Sequence, residues 1–131
     1  SLFFRGKFDY KILNLYQMYY GLTAQPKVNL IRDAYTRNAE IKGEKQIVDY
    51  FLENGDYFKL DNITLGYTPK VNCKYISNLR IYATARNVFT LTKYSGIDPA
   101  GVNIVGLEPG IGNLDVYPST TNLSFGIQIS Y

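Results

Sequence analysis

The chain has 131 residues, 46% of them hydrophobic and 19% charged, and its aromatic share of 15% comes from 13 Tyr and 7 Phe with no Trp. Lys and Arg exceed Asp and Glu by 14 to 11, and a net charge of +3 spread along the chain does not make a nucleic-acid-binding footprint. With no His and the single Cys73, the sequence excludes His-based acid–base catalysis, Ser-His-Asp triads, an intramolecular disulfide and Cys-cluster metal sites. No apolar run reaches the roughly 18 residues of a membrane-spanning helix. The chain opens Ser1-Leu2-Phe3, without initiator Met or signal-peptide pattern. That opening predicts either processing or a piece of something longer.

Residues 1–13 alternate. Leu2, Phe4, Phe8, Tyr10 and Ile12 share one face, and Arg5, Lys7, Asp9 and Lys11 the other, with Phe3 and Leu13 as exceptions, which predicts a strand with one apolar and one charged side. About ten residues is what a tilted strand needs to cross a bilayer. From 14 to 56 the alternation is lost. Tyr16, Tyr19 and Tyr20 crowd before Gly21, residues 28–35 read as a short helix after Pro26, and 36–46 are polar. So long a stretch with so little regular structure is unusual in a compact domain but ordinary on the outer side of a bacterial β-barrel.

A second strand is expected over 57–68. Phe58 and Leu60 share a phase that Ile63, Leu65 and Tyr67 do not, so a β-bulge is expected at Asp61-Asn62. Pro69 ends this strand, and 69–78 make a short turn. The third strand, 79–92, sets Leu79, Ile81, Ala83, Ala85, Phe89 and Leu91 against Arg80, Tyr82, Thr84, Arg86, Thr90 and Thr92, with one break at Asn87-Val88. Residues 93–120 form a second long loop, rich in Gly and Pro. The fourth strand, 122–131, alternates without exception: Leu123, Phe125, Ile127, Ile129 and Tyr131 on one face, Asn122, Ser124, Gly126, Gln128 and Ser130 on the other.

Connections that run long, short, long match an outer-membrane barrel, as does an apolar strand face opposite a polar one. A soluble Tyr-rich β-sandwich, acting as a carbohydrate-binding or adhesion module, gives the same period and is the alternative. An enzyme is disfavoured by the lack of His and of a spaced acid pair on a rigid element, and no cofactor is expected. Four strands cannot close a barrel, so the reading is an all-β, antiparallel transmembrane β-barrel segment with raw edges that need partners. The expected order is consecutive: 122–131 beside 79–92, and 79–92 beside 57–68.

Gly55-Asp56-Tyr57-Phe58-Lys59-Leu60-Asp61-Asn62-Ile63-Thr64-Leu65-Gly66-Tyr67-Thr68-Pro69 resembles a signature of SusC/RagA-type TonB-dependent outer-membrane transporters. Leu79 to Tyr82 and Arg86 to Pro99 resemble the next one, and Tyr117-Pro118 with the last alternating strand resembles the family's end. Phe3-Phe4-Arg5-Gly6 and Ile12-Leu13-Asn14 are looser matches. Lys59 in place of Arg, Ala100 after Asp98-Pro99 and a terminal Tyr rather than Phe depart from the family pattern. The resemblance implies that 1–131 are the C-terminal portion of a barrel of about 22 strands, with the plug domain and the TonB-contacting segment outside this chain. It also implies a bacterial outer-membrane location and a multi-pass β-barrel among lipid and lipopolysaccharide. The implied partners are the rest of the barrel and plug, a SusD-like surface lipoprotein and the TonB complex; the implied activity is import of oligosaccharides or peptides.

Arg5, Lys7, Lys11, Arg80, Tyr82, Thr84 and Arg86 are the lumen-facing candidates; their plain role is to solvate the wall and pair with plug carboxylates. The stripe Leu123, Phe125, Ile127, Ile129 and Tyr131 looks like a barrel-assembly signal and serves equally as a lipid-facing strand. Asp98, Glu108, Asn113 and Asp115 offer oxygen ligands in one loop, but their spacing fits no Ca²⁺ loop. Gly110-Ile111-Gly112 reads as a turn rather than a phosphate cradle, and Tyr16, Tyr19 and Tyr20 as loop packing or an interfacial girdle rather than a sugar platform.

Overall fold

The computed structural model describes residues 1–24, 28–70, 76–103, 106–107 and 109–131. They form two compact units: 1–6, 58–91 and 119–131 in one, and 7–57 with 92–118 in the other.

The first unit is a four-stranded sheet. Its strands are β1 (Leu2–Lys7), β4 (Tyr57–Tyr67), β5 (Asn78–Thr92) and β6 (Asn122–Ser130), in the order β1-β4-β5-β6, with Lys7, Tyr57 and Thr92 at the strand ends belonging to the other unit. β5 and β6 pair antiparallel from Asn78↔Ser130 to Arg86↔Asn122. Asn87, at φ +52°, ends that ladder, with its amide donating to the Thr120 carbonyl and its own carbonyl accepting from the Thr121 hydroxyl. Asn tolerates this left-handed conformation because its short polar side chain bonds locally.

Ser1 and Thr64 exchange backbone bonds of 2.7 and 2.9 Å. An even pairing from there would set odd β1 residues beside even β4 residues. Yet Arg5 pairs with Asp61 at 3.1 Å, and Phe4 stacks on Phe58 at 5.4 Å and 13°. The pairing therefore slips by one residue between Phe58 and Thr64, where the change of phase at Asp61-Asn62 predicts a bulge. The extra residue keeps apolar side chains on one face along the whole strand.

Among the described residues of this unit only Lys59 and Leu60 are buried. A sheet with both faces open has no core of its own. β6 has β5 as its sheet neighbour and does not close onto β1.

The expected single strand over 1–13 is two strands in two sheets. β1 stops at Lys7. Asp9 takes φ +62°, and β2 (Lys11–Leu13) then pairs antiparallel with β3 (Leu52–Asn54), Ile12 opposite Glu53. The Asp9 amide donates to the Asp56 carboxylate at 2.7 Å, and the Gly55 amide to the Tyr10 carbonyl at 3.0 Å, which fixes the break. Period two alone cannot show a break of this kind, because Phe8, Tyr10 and Ile12 stay in phase across it. At Gly55 a Cβ would stand 2.7 Å from the Tyr10 ring and 2.8 Å from Ile12, so the close approach needs glycine.

The stretch 14–56 also has more structure than its sequence suggests. Helix α1 (Leu15–Tyr20) occupies the tyrosine-rich segment, capped by the Asn14 side chain, which accepts from the Gln17 amide at 3.1 Å. The helix expected over 28–35 is a single 3₁₀ turn at Arg32–Tyr35; others lie at Asp49–Phe51 and Pro99–Gly101. Met18, Leu22 and Phe51 form one small core, flanked by Leu13, Leu15, Tyr19 and Ile41. Ile12, Tyr94 and Val102 form another, with Tyr10 against it.

Burial pushes the Tyr94 phenol up to about 12, helped by the Glu53 charge and Tyr10. Tyr10 is pushed up to about 12 by burial first, then by Tyr57, Asp56 and Asp98. A phenol held neutral in the folded state stabilises it fully below the ordinary value near 10 and loses that contribution as pH rises toward 12. Absorbance titration should show a late tyrosinate step centred near pH 12 that shrinks in Tyr94→Phe. A Tyr94→Phe trace unchanged in that window would contradict the placement of this ring.

Candidate functional site

The register of β5 on β6 sorts the sheet into two chemically distinct faces. Leu79↔Ile129, Ile81↔Ile127, Ala83↔Phe125 and Ala85↔Leu123 are facing pairs on one side. Leu65, Ile81, Ala83, Phe125 and Ile127 line a shallow apolar depression there. Phe125 is 82% exposed, Leu65 69% and Ile127 67%. Fully covering each such side chain is worth about 1.5–3 kcal/mol, so this face calls for an apolar environment that the four strands do not supply.

The opposite face pairs Arg80↔Gln128, Tyr82↔Gly126, Thr84↔Ser124 and Arg86↔Asn122. The Thr64 and Thr84 hydroxyls meet at 3.3 Å across β4 and β5. Two glycines shape this face. A Cβ at Gly126 would fall 2.3 Å from the Tyr82 ring, so that ring lies flat across β6. Gly66 leaves room beside the Arg80 guanidinium, which would be 3.4 Å from a Cβ there and sits 6.0 Å from the Tyr82 centroid. At the β1 edge, Arg5 and Lys59 both approach Asp61, at 3.1 and 3.9 Å. With Arg80 and Arg86 on the β5 row, these charged side chains are four cations to one carboxylate, so the polar side is net positive.

The structure thus brings Arg80, Tyr82, Thr84 and Arg86 onto one polar row, with Arg5 held by Asp61 on the neighbouring strand pair. Lys7 and Lys11 do not join that row. Lys7 ends β1 with its ammonium 4.5 Å from the Tyr10 centroid, and Lys11 opens β2, exposed and opposite Asn54. Leu123, Phe125, Ile127 and Ile129 project from β6 toward the apolar side, and Tyr131 follows the strand. Cys73 and Glu108 lie outside the described residues.

In the second unit, Asp98 caps the turn at Pro99–Gly101 by accepting from the Ala100 amide, and Asn113 accepts from the Asp115 amide. Among the described residues no three Asp, Glu, His or Cys side chains gather in a metal-ligand cluster. Gly110 and Gly112 bracket Leu13: the Leu13 amide donates to the Gly110 carbonyl and the Gly112 amide to the Leu13 carbonyl, both at 2.8 Å. The segment is a strand-like bridge to Leu13 rather than a free turn. Tyr16 and Tyr20 pack at 5.2 Å, and Tyr19 lies under the Lys45 ammonium at 3.9 Å while flanking the Met18 core. All three rings are half-buried, which favours packing over a sugar platform.

Sequence reasoning missed a polar cluster here. Asn14, Gln17 and Asn38 are buried. Gln17 Nε2 donates to Asp33 at 2.5 Å, Asn38 Nδ2 to the Gly21 carbonyl at 2.9 Å, and the Tyr50 hydroxyl to Asn38 at 2.8 Å. Only the Asn14 cap has a local signal; the others meet through tertiary contacts between segments far apart in sequence.

Comparison with known proteins bears on both units. No family model matches the chain. The TonB-dependent receptor SusC of Bacteroides thetaiotaomicron is 31% identical over 88 residues, which is 63% of this chain and 8% of SusC. The TonB-dependent receptor P39 of Formosa agariphila is 34% identical over 86 residues, 62% of this chain and 8% of that protein. Among solved structures, the RagAB peptide transporter matches 99% of this chain and 15% of its own chain, with a TM-score of 0.76 at 24% identity. The RagAB peptide importer in its closed-closed state matches at 0.71 and 20%. The chain therefore spans a tenth or less of the curated relatives it matches, which are TonB-dependent receptors. It is homologous to SusC/RagA-type TonB-dependent receptors, over a small part of their length.

Proposed function

We propose that residues 1–131 are the C-terminal barrel segment of a SusC-like TonB-dependent transporter in a bacterial outer membrane. The observation that carries this reading is the one-layer sheet, apolar and uncovered on one face, polar and net positive on the other. Strands of 9 to 15 residues in β4, β5 and β6 suit a tilted crossing of the hydrocarbon core. Lipid against the Ile81–Phe125 face and a hydrated lumen against the Arg80–Arg86 row satisfy both sides at once. The open edges of β1 and β6 are then met by the other strands of the barrel. In this reading Arg5, Arg80, Tyr82, Thr84 and Arg86 line the lumen, whereas Lys7 and Lys11 belong to the loop unit. The β6 stripe through Tyr131 serves barrel assembly.

The whole transporter would import oligosaccharides or peptides with TonB-derived energy and a SusD-like lipoprotein. The RagAB structures are of a peptide transporter and a peptide importer, which supports peptides as one such class. Residues 15–56 and 93–120 would lie outside the cell and 69–78 on the periplasmic side. A soluble sandwich would need a second sheet over the apolar face, and the only other sheet among the described residues has strands of three residues.

In the intact protein, Ala83→Arg should cost on the order of 2–4 kcal/mol of folding stability in bilayers, and Thr84→Arg far less. In a Cys73→Ser background, a fluorophore at Phe125→Cys should be quenched by brominated lipid, and one at Gln128→Cys should not. Quenching at Gln128 with none at Phe125 would sink the assignment of faces. Protease added to whole cells should cut within 15–56 or 93–120. Cleavage after Lys70 in intact cells would overturn the topology.

A further inference from the structure

Ser95 makes more side-chain hydrogen bonds than an exposed serine in a long connection requires. Its hydroxyl donates to Glu53 Oε1 at 2.7 Å and accepts from Asn14 Nδ2 at 3.0 Å and Gln17 Nε2 at 3.3 Å. One donor and two acceptor positions are all that a hydroxyl has, and all three are used. Its backbone amide donates to the second Glu53 oxygen at 2.9 Å. Glu53 belongs to β3, Asn14 caps α1 and Gln17 lies within it, so one residue from the segment after β5 is tied to two elements of the segment before β4. The ties continue inward: Gln17 to Asp33 and Asn38, and Asn38 to Gly21 and Tyr50.

The neighbours of Ser95 hold it in place. Tyr94 is buried beside Ile12 and Val102, and Gly96 passes so close to the Tyr94 ring that a Cβ would come within 2.3 Å of it. Arg37 lies 3.5 Å from the same Glu53 carboxylate. Asn14, Gln17 and Asn38 are buried while Ser95 and its bonds to Glu53 are exposed, so removing the hydroxyl takes a partner from two buried amides at once.

We propose that the Ser95 hydroxyl is the pin that makes 7–57 and 92–118 one cooperative body, so that two connections far apart in sequence order and loosen together. The other ties between the segments are the Ile12–Tyr94–Val102 cluster, the Leu13 bonds to Gly110 and Gly112, and the single bonds from Tyr10 to Pro99 and from Thr92 to Asp56; none of them engages Glu53 and helix α1 together, as the Ser95 hydroxyl does. The inference stands apart from the barrel reading, since it concerns the second unit alone.

Hydrogen exchange of the intact protein, read on peptides covering 12–20, 49–55 and 94–102, tests it. Ser95→Ala should speed exchange in all three on the order of tenfold. Ser95→Thr, which restores the hydroxyl at an exposed position, should return all three toward the wild-type rate. The amides of β5 and β6 should not change in either variant. Faster exchange confined to 94–102 would mean that the segments move independently, and no change in any peptide would mean that the hydroxyl is not a pin; either overturns the proposal. So would a loss of protection that spreads through β5 and β6, or a threonine variant as loose as the alanine one. Each of these results is legible whether or not the sheet lies in lipid.

Discussion

The antiparallel register of β5 on β6 is the constraint from which the chemistry of the sheet follows. Side chains alternate across a strand with period two, so a slip of one residue would carry Phe125 and Ile127 to the side of Arg80 and Arg86. Two features hold the faces apart. The Tyr82 ring lies over Gly126, where a side chain in β6 would collide with it. The bulge in β4 absorbs the one place where the apolar phase of the sequence shifts, and the Arg5–Asp61 and Phe4–Phe58 contacts lie on its far side from Thr64.

A sheet built this way has no interior. Its stability in water would rest on backbone hydrogen bonds and edge contacts, with large apolar side chains left open to solvent. That is a poor arrangement for a soluble protein and a workable one for a wall between lipid and a hydrated channel. Similarity to SusC/RagA-type TonB-dependent receptors, over a small part of their length, is why the second arrangement is the one we propose. The second unit solves the opposite problem. It has little regular structure and few large buried side chains, and a polar network takes up much of the work that a larger core would do. Buried amides such as Asn14, Gln17 and Asn38 are costly unless paired, and here they are paired with one another and with backbone groups.

Much of the sheet was legible in the sequence. Alternation over 79–92 and 122–131 gave both strands within a residue or two, assigned Ile81, Ala83, Phe125 and Ile127 to a single face and Arg80, Thr84 and Gln128 to the other, and anticipated the slip at Asp61-Asn62. Period two is a local property of an extended chain with one apolar side, so a short window contains it. The resemblance of 55–69 and 79–99 to SusC/RagA-type receptors was likewise carried by contiguous residues, and the comparisons bear it out.

What the sequence could not decide is where a run of alternating residues changes sheets, and what the irregular stretches do. Residues 1–13 keep their phase through Asp9, yet the chain turns there because Asp56 and Gly55 take up its backbone groups, and those partners lie more than forty residues away. The helix at Leu15–Tyr20 is too short to reveal a period and depends on its cap and on packing against Phe51. Ser95 and Glu53 have no local signature at all. By itself the sequence determined β4, β5 and β6, the two faces of β5 and β6 and the kinship, because each is written in neighbouring residues. Only the tertiary structure decided the break after β1, the bridge of Gly110-Ile111-Gly112 to Leu13 and the polar network around Ser95, because each is a contact between segments that meet only once the chain has folded.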